Sequence, residues 1–210
     1  RVDVRVSDAI FKQLSEAYRK IRNTARILLA DLGDAGTDFV PDRDLLPVEK
    51  LLPIDRWLLA RLNRLIATAR AAYESYEVHL IYHAVYNVCT TELSKLYIDI
   101  TKDRMYAELK NSEARRAAQT AMFYALDTLT RLIAPLLAFT ADEIWQAMPH
   151  KACDRRESVF LNDMPAFDEA LTFADVTAKW DHLFSLRDDV MKALELARND
   201  KKIGKSLDAK

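Results

Sequence analysis

The stretch between Pro53 and Pro135 contains no proline, and this limits most strongly what the chain can fold into. Proline breaks helices because it lacks an N–H group and its ring clashes with the preceding turn. The whole chain has 3 glycines, Gly33, Gly36 and Gly204, well below the usual ~7%. Tight turns between strands depend on glycine. The sequence therefore predicts an all-α fold of long helices joined by short connections.

Apolar residues recur every three or four positions and predict the individual helices. The first runs from Ser7 to Leu32, with Gly33 as a left-handed cap, and a proline-rich linker follows. The next three are a helix capped by Asp55, one that begins near His79, and one over 113–134. Long amphipathic helices with short loops pack as antiparallel neighbours. Residues 1–150 are therefore predicted to form an up-and-down bundle.

The elements after Pro135 are shorter. TADEIW has Thr140 and Glu143 at the spacing of a capping box. SVFLND, residues 158–163, is the one segment with a strand-like pattern. Residues 151–210 are therefore predicted to hold this short strand, a last helix ended by Gly204, and the start of a C-terminal junction region.

Composition indicates a soluble cytoplasmic chain. The net charge is −1, so any nucleic-acid site must be a local patch, and no apolar run reaches the ~20 residues of a membrane span. Cys89 and Cys153 lack the density of a disulfide scaffold and are predicted to be reduced thiols. The chain begins at Arg1 without a signal peptide and ends in KSLDAK. We interpret it as an internal piece of a larger protein, with a monomeric state expected.

The first helix carries basic residues opposite its apolar face: Lys12, Arg19, Arg22 and Arg26, joined by Asn23. Between Tyr18 and Ala30 no acidic residue accompanies them, although ordinary surface helices use such residues for i, i+4 pairing. A solvated helix face is one interpretation. A nucleic-acid contact surface is the other.

The segment ELSKLYIDITKDRMY, residues 92–106, contains an arginine on an apolar line. Leu93, Leu96 and Ile100 recur at helical spacing, and the next position on that line is Arg104. A lone buried guanidinium costs several kcal/mol, so Arg104 must pair or leave the core. Either Asp103 or Asp99 holds it, or the helix end offers it to a ligand.

Motifs of common active sites are absent from the sequence. There is no GxGxxG, GxxxxGK[ST] or GxSxG. His79 and His83 have the spacing of a metal pair, but no carboxylate or thiol accompanies them in HLIYH. We therefore predict no catalytic residue and no metal ligand in this segment.

Five ordered segments resemble bacterial-type isoleucyl-tRNA synthetases. ELSKLYIDITKDRMY is similar to their ELSxxYxDxxKDRxY, and YRKIRNTARILL to YRKIRNTxRFLL. TADEIW, SVFLNDMP and KKIGKSLDA resemble TAEEIW, SVHLxxxP and KxIGxSLEA. Phe139, Thr90 and Lys95 depart from the pattern. The family's HIGH and KMSKS signatures do not occur here.

The resemblance implies a non-catalytic domain that binds the anticodon stem-loop. The full enzyme would attach isoleucine to tRNA(Ile) with ATP, and ATP, Mg²⁺ and Zn²⁺ would bind outside this segment. Its partners would be tRNA(Ile) and the rest of the synthetase. In the related methionyl enzyme, anticodon contacts come from positions that align with Arg22 and Arg104.

The resemblance leads to one predicted RNA-binding set: Arg19, Arg22, Asn23, Arg26, Lys102 and Arg104. Two alternatives stay open at this stage. One is the equivalent domain of a valyl or leucyl enzyme. The other is a helical-bundle interaction module with no role in RNA binding.

Overall fold

The structure is a computed structural model that describes residues 6–33 and 38–205. Its helices are α1 (Asp8–Leu32), α2 (Pro41–Asp44), α3 (Pro53–Glu74), α4 (Val78–Asn87), α5 (Ile98–Tyr106), α6 (Glu113–Ile133), α7 (Ala138–Ala147) and α8 (Ala174–Asn199). A π-helix, Val88–Tyr97, joins α4 to α5 without a break. Short 3₁₀ turns lie at Val48–Lys50, Val159–Leu161 and Glu169–Leu171. No described residue lies in a strand, and the predicted all-α class is confirmed.

The chain forms two compact units that meet in sequence between Thr172 and Phe173. The first contains α1–α7, and the second contains α8, in which no residue is buried. Residues 151–172 pack within the first unit. For example, the Asn63 side chain donates to the Asp168 carbonyl at 2.7 Å and accepts from its N–H at 2.9 Å. The predicted boundary after residue 150, between the helical bundle and the start of a C-terminal junction region, stays a prediction.

The long helices of the first unit alternate in direction along the chain, as predicted. Near the end of α3, Tyr73 Oη donates to the Leu132 carbonyl near the end of α6, at 2.6 Å. Gln119, in the second turn of α6, donates to the Asp31 carbonyl near the end of α1, at 3.0 Å. Helices α3 and α6 therefore run parallel to each other, and α1 runs antiparallel to α6.

The first unit encloses one apolar core. Its largest fully buried side chains are Trp57, Trp145, Tyr97, Phe39, Phe123, Leu28, Leu32, Leu58, Ile81, Leu93, Met122 and Leu126. They come from every long helix of this unit and from the linker before α2. Burial of each such side chain contributes about 1.5–3 kcal/mol, so the packing of these apolar faces holds the bundle together.

The π-helix shifts the buried face of the third long segment. A regular period predicts that Ile100 continues the line of Leu93 and Leu96, but Ile100 is 43% exposed. Tyr97, Thr101 and Met105 are buried instead. Because π turns bond i to i+5, they move later residues around the helix axis. The prediction that Ile100 belongs to the core was wrong for this reason.

The first turns of α1 also differ from the predicted core stripe. Phe11 is 59% exposed and Leu14 is 49% exposed. They line an open apolar groove of about 550 Å³, together with residues that include Val78, Tyr82 and Leu136. Only from Ala17 onward does the α1 stripe enter the core. Gly33 ends α1 with a positive φ of 75°, which favours glycine, but its ψ of 176° is extended, so the predicted left-handed cap is not formed.

Two other predicted helix caps are wrong. Asp55 is the third residue of α3 rather than its cap, and its Oδ2 accepts from the N–H of the cap residue, Leu52, at 3.0 Å. Helix α7 begins at Ala138 and has no side-chain cap. The hydroxyl of Thr140 bonds that of Tyr18 at 3.0 Å instead, which attaches α7 to α1.

The predicted strand and the predicted end of the last helix are also wrong. Within SVFLND, the residues Val159–Leu161 form a 3₁₀ turn. The side chain of Asp142 accepts from Ser158 Oγ at 2.8 Å and from the Val159 N–H at 3.1 Å, so these groups bond α7 rather than a neighbouring strand. Helix α8 ends at Asn199 with Asp200 as its cap, well before Gly204.

A buried carboxylate joins three elements at the end of the bundle where α3 begins. Asp55 is fully buried. Its Oδ1 accepts from Tyr97 Oη at 2.7 Å and from Arg104 Nη1 at 2.9 Å. Its Oδ2 accepts from Arg104 Nη2 at 2.8 Å as well as from the Leu52 N–H. Burial and the neighbouring Asp55 raise the pKa of Tyr97 well above its ordinary value, so Tyr97 stays a donor.

Replacing Asp55 by Asn should strongly destabilise the first unit. The substitution leaves the Arg104 guanidinium without its counter-charge, and removing one partner of a buried pair costs about 3–5 kcal/mol. The lower end is expected because 15% of the Arg104 side chain is exposed. Urea denaturation would measure the loss. The control is Asp103→Asn, an exposed neighbour of Arg104, which should change the free energy of unfolding by about 0.5 kcal/mol or less. Equal losses of unfolding free energy for both variants would contradict Asp55 as the structural partner of Arg104.

Asp31 should give the unfolding free energy a specific pH dependence. Burial raises its pKa above the ordinary value of 3.8, and its charge lies near the end of α1, where the helix dipole disfavours it. The folded state therefore holds the proton more tightly, and stability falls as pH rises from 3.8 through the folded pKa. Asp31→Asn should gain stability over the wild type on going from about pH 3 to about pH 7. Thermal melts at both pH values would test this, and a pH-independent difference would contradict it.

Candidate nucleic-acid interface

Helix α1 presents a row of polar side chains away from the core. Its buried positions, among them Ile21, Ala25 and Leu28, lie on the opposite side of the helix. Arg19, Asn23 and Arg26 are exposed. Within 6–33 and 38–205, none of these three side chains forms a hydrogen bond or ion pair. These groups are therefore available to a partner, and the row bears positive charge.

Arg22, in the same row, has a weak acidic partner. Its Nη2 lies 3.3 Å from Glu143 Oε1, and the side chains are 39% and 66% exposed. Such surface pairs contribute about 0–1 kcal/mol, so a ligand can replace Glu143 at little cost. Glu143 lies one turn after Thr140, whose bond to Tyr18 brings α7 against α1. Sequence reasoning missed this partner because it lies 121 residues away along the chain.

Lys102 lies near the end of α5. Its Nζ donates to Asp99 Oδ1 at 2.8 Å, and both side chains are more than half exposed. The nearby carboxylate raises the pKa of Lys102 through this hydrogen bond, so the ammonium stays charged. The pair is local to one helix face and leaves Lys102 accessible.

Arg104 differs from the other candidates because it already donates four hydrogen bonds within the protein. In addition to both Asp55 oxygens, it bonds the Ala114 carbonyl through Nε at 3.1 Å and Nη2 at 2.8 Å. The expectation that Asp99 or Asp103 would be its acidic partner is wrong, since the partner is Asp55, 49 residues earlier. Arg104 thus joins α5 to the starts of α3 and α6. Its contact with RNA stays a prediction.

One hydrogen bond relates the α1 row to the end of α5. Tyr106 Oη donates to Asp31 Oδ1 at 3.2 Å. At a rise of 1.5 Å per residue, Asn23 lies ~12 Å and Arg26 ~8 Å along α1 from Asp31. Lys102 lies about one turn from Tyr106 along α5. The structure thus places Lys102 toward the same end of the bundle as Arg26, the last residue of the α1 row, whereas Arg19 lies in the middle of α1.

In the described ranges, no three His, Cys, Asp or Glu side chains are grouped as a metal site would require. Cys89 and Cys153 are free thiols, and burial raises the pKa of Cys89 to about 12. Among the described helices, none is long and apolar enough to cross a membrane. The candidate side chains themselves supply guanidinium, amide and ammonium groups.

Comparison with known protein families identifies the family of the chain. A family model described as the anticodon-binding domain of tRNA ligase matches residues 55–210. The chain belongs to this family of anticodon-binding domains. The match covers α3–α8, whereas α1, with its row of polar side chains, precedes it.

Curated relatives extend the similarity over α1. The chain is 50% identical over 210 residues to the isoleucine–tRNA ligase of Syntrophotalea carbinolica. It is 49% identical over 207 residues to that of Thermoanaerobacter sp. and 49% identical over 210 residues to that of Bacillus cereus. These alignments include 99–100% of the chain but 22% of each relative's length. The domain is thus similar to about a fifth of each ligase.

The Arg22–Glu143 pair should contribute little to the stability of the anticodon-binding domain. A double-mutant cycle with Arg22→Ala and Glu143→Ala should give a coupling energy of about 1 kcal/mol or less at low salt. The coupling should vanish near 1 M salt, where the screening length is ~3 Å. Urea denaturation of the four proteins would measure it. A large coupling that persists in salt would show that Arg22 is a structural residue.

Proposed function

We propose that this domain binds the anticodon stem-loop of tRNA(Ile) within an isoleucine–tRNA ligase. The observation that carries the proposal is the α1 row, whose Arg19, Asn23 and Arg26 side chains are exposed without partners in the described part of the chain. The family match supplies the class of partner. Relatives that are isoleucine–tRNA ligases, at 48–50% identity, support the choice of isoleucine as the amino acid.

The proposed contacts divide by chemistry. Arg19, Arg22 and Arg26 meet phosphates or unpaired bases, and arginine planes can stack on bases as aromatic rings do. Asn23 offers an amide to base edges. Lys102 adds charge from α5. Arg104, already bonded to Asp55 and Ala114, acts at the anticodon through its exposed edge while it holds the end of α5 in place.

The remaining parts of the proposal concern the whole ligase. The segment is non-catalytic, and the complete enzyme attaches isoleucine to its tRNA. ATP, Mg²⁺ and Zn²⁺ bind in other parts of the enzyme, whose relatives extend well beyond this segment. We assign the ligase to the cytoplasm, where tRNA is charged, and to a monomeric state, which light scattering would test.

Replacing the α1 arginines should weaken tRNA binding without impairing the chemistry of activation. In the full-length ligase, Arg19→Ala and Arg26→Ala should each lower affinity for tRNA(Ile). Each should also reduce the slope of log K against log salt, by about 0.7 for every phosphate of a single-stranded loop that the variant no longer neutralises. Filter binding over a salt series measures both quantities. Isoleucine-dependent ATP–pyrophosphate exchange, which uses no tRNA, should be unchanged.

The matched control is Arg64→Ala, an exposed arginine on α3. Its affinity for tRNA should equal that of the wild type. Wild-type affinity for the Arg19 and Arg26 variants would overturn the site. Equal binding of tRNA with valine or leucine anticodons would overturn the assignment to isoleucine.

A further inference from the structure

A small pocket lies beside the α1 row, between α1 and the π-helix. Its volume is about 290 Å³ and it is open to solvent. One face of α1 and the side of the π-helix that packs against it form the lining, and Asn23 belongs both to this pocket and to the α1 row. The lining residues are Lys20, Asn23, Thr24, Ile27, Thr90 and Ser94.

The π-helix forms one wall of this pocket. Ser94 Oγ donates to the Cys89 carbonyl at 2.7 Å, across five residues. The Thr24 hydroxyl lies 3.3 Å from that carbonyl and 3.2 Å from Ser94 Oγ. These bonds fix α1 to the π-helix below the pocket. Segments of π-helix are rare and are frequent at functional sites, so the geometry of this wall is a second indication of a ligand site.

The polar side chains of the pocket differ in whether they already form hydrogen bonds within the protein. Ser94 Oγ donates to the Cys89 carbonyl at 2.7 Å, Thr24 Oγ1 lies 3.0 Å from the Lys20 carbonyl, and the Thr90 hydroxyl donates to the Tyr86 carbonyl at 2.8 Å. Lys20 Nζ donates to Tyr86 Oη at 2.9 Å. The amide of Asn23 has no partner among the described residues. It is therefore the group in the pocket that is most available to a ligand.

An amide that offers a donor and an acceptor side by side suits the edge of a nucleobase. Ile27, 40% exposed, adds an apolar surface on which a flat ring can pack. The volume is at the lower limit of the ~300–1,000 Å³ of drug-sized sites, so it fits one heterocycle rather than a longer segment. Arg19 and Arg26 flank Asn23 along α1 and lie where the phosphates of such a nucleotide would pass.

We propose that this pocket takes one unstacked nucleobase of the bound RNA loop, with Asn23 on its edge and Ile27 against its face. The inference rests on the proposed function. It adds a base-binding subsite on the π-helix, separate from the α1 arginines to which phosphate contacts are assigned. Loops present bases that can be turned out in this way. Thr90 and Ser94 form the wall that limits the size of the base.

Filling the pocket tests the proposal in the full-length ligase. Thr90→Leu places a larger apolar side chain in the pocket, and Thr90→Ser keeps the space. The probes are anticodon stem-loop RNAs that carry 2-aminopurine at one loop position each. For the wild type and Thr90→Ser, one position should show a fluorescence change on binding that the others lack. Thr90→Leu should remove that change and weaken binding about 5- to 150-fold, the equivalent of ~1–3 kcal/mol for one stacked base.

Two controls separate the possible failures. The first control is Thr68→Leu, the same exchange at an exposed position of α3, which should bind RNA like the wild type. The second is pyrophosphate exchange together with circular dichroism, which shows whether each variant is folded. If Arg26→Ala weakens binding but Thr90→Leu changes neither affinity nor fluorescence, the pocket is overturned and the proposed function stands. If no variant changes binding, the proposed function itself fails.

Discussion

The structure depends on one buried ion pair, Asp55 with Arg104. The Asp55 carboxylate accepts four hydrogen bonds, from the Leu52 N–H, Tyr97 Oη and two Arg104 nitrogens. It thereby joins the start of α3, the π-helix and the end of α5, and Arg104 extends the network to α6 through the Ala114 carbonyl. Buried charges are tolerated only when they are paired and fully hydrogen-bonded. This geometry meets that condition, so the network can fix the register of four helical segments at one end of the bundle.

The π-helix makes this pair possible. A regular helix over 88–106 would keep Leu93, Leu96 and Ile100 on one face. In the structure Leu93 and Leu96 are buried but Ile100 is exposed, and Tyr97, Thr101 and Met105 point inward. Tyr97 then reaches Asp55, and Arg104 lies at the border of the core. The same π turn leaves Ser94 and Thr90 facing α1. One local change in helix geometry therefore serves both the structural network and the pocket beside the α1 row.

Sequence reasoning predicted the helices because their apolar periods and helix-breaking residues are local signals. Ser7 and Gly33 bound α1, as the pattern indicated. It failed for Ile100, since a π turn has no clear local signature, and for SVFLND, where bonds to Asp142 take up the Ser158 hydroxyl and the Val159 N–H. The α1 row was predictable from a lack of acidic neighbours. The partners Glu143 and Asp55 were not, because they lie 121 and 49 residues away and depend on packing.

The two ends of the first unit differ in chemistry. At the start of α1, Phe11 and Leu14 line an apolar groove. At the other end of α1, Asp31 accepts a hydrogen bond from Tyr106. Arg104 of α5 and Arg115 of α6 form ion pairs there with Asp55 and Asp38. Charged groups attract RNA over distance, and amide groups can read base edges at contact. The arginines of α1 lie between these ends, on a helix that Thr24 attaches to the π-helix and Tyr18 to α7. Because both attachments are made by side chains outside the row of exposed arginines, the row is held in place without being covered.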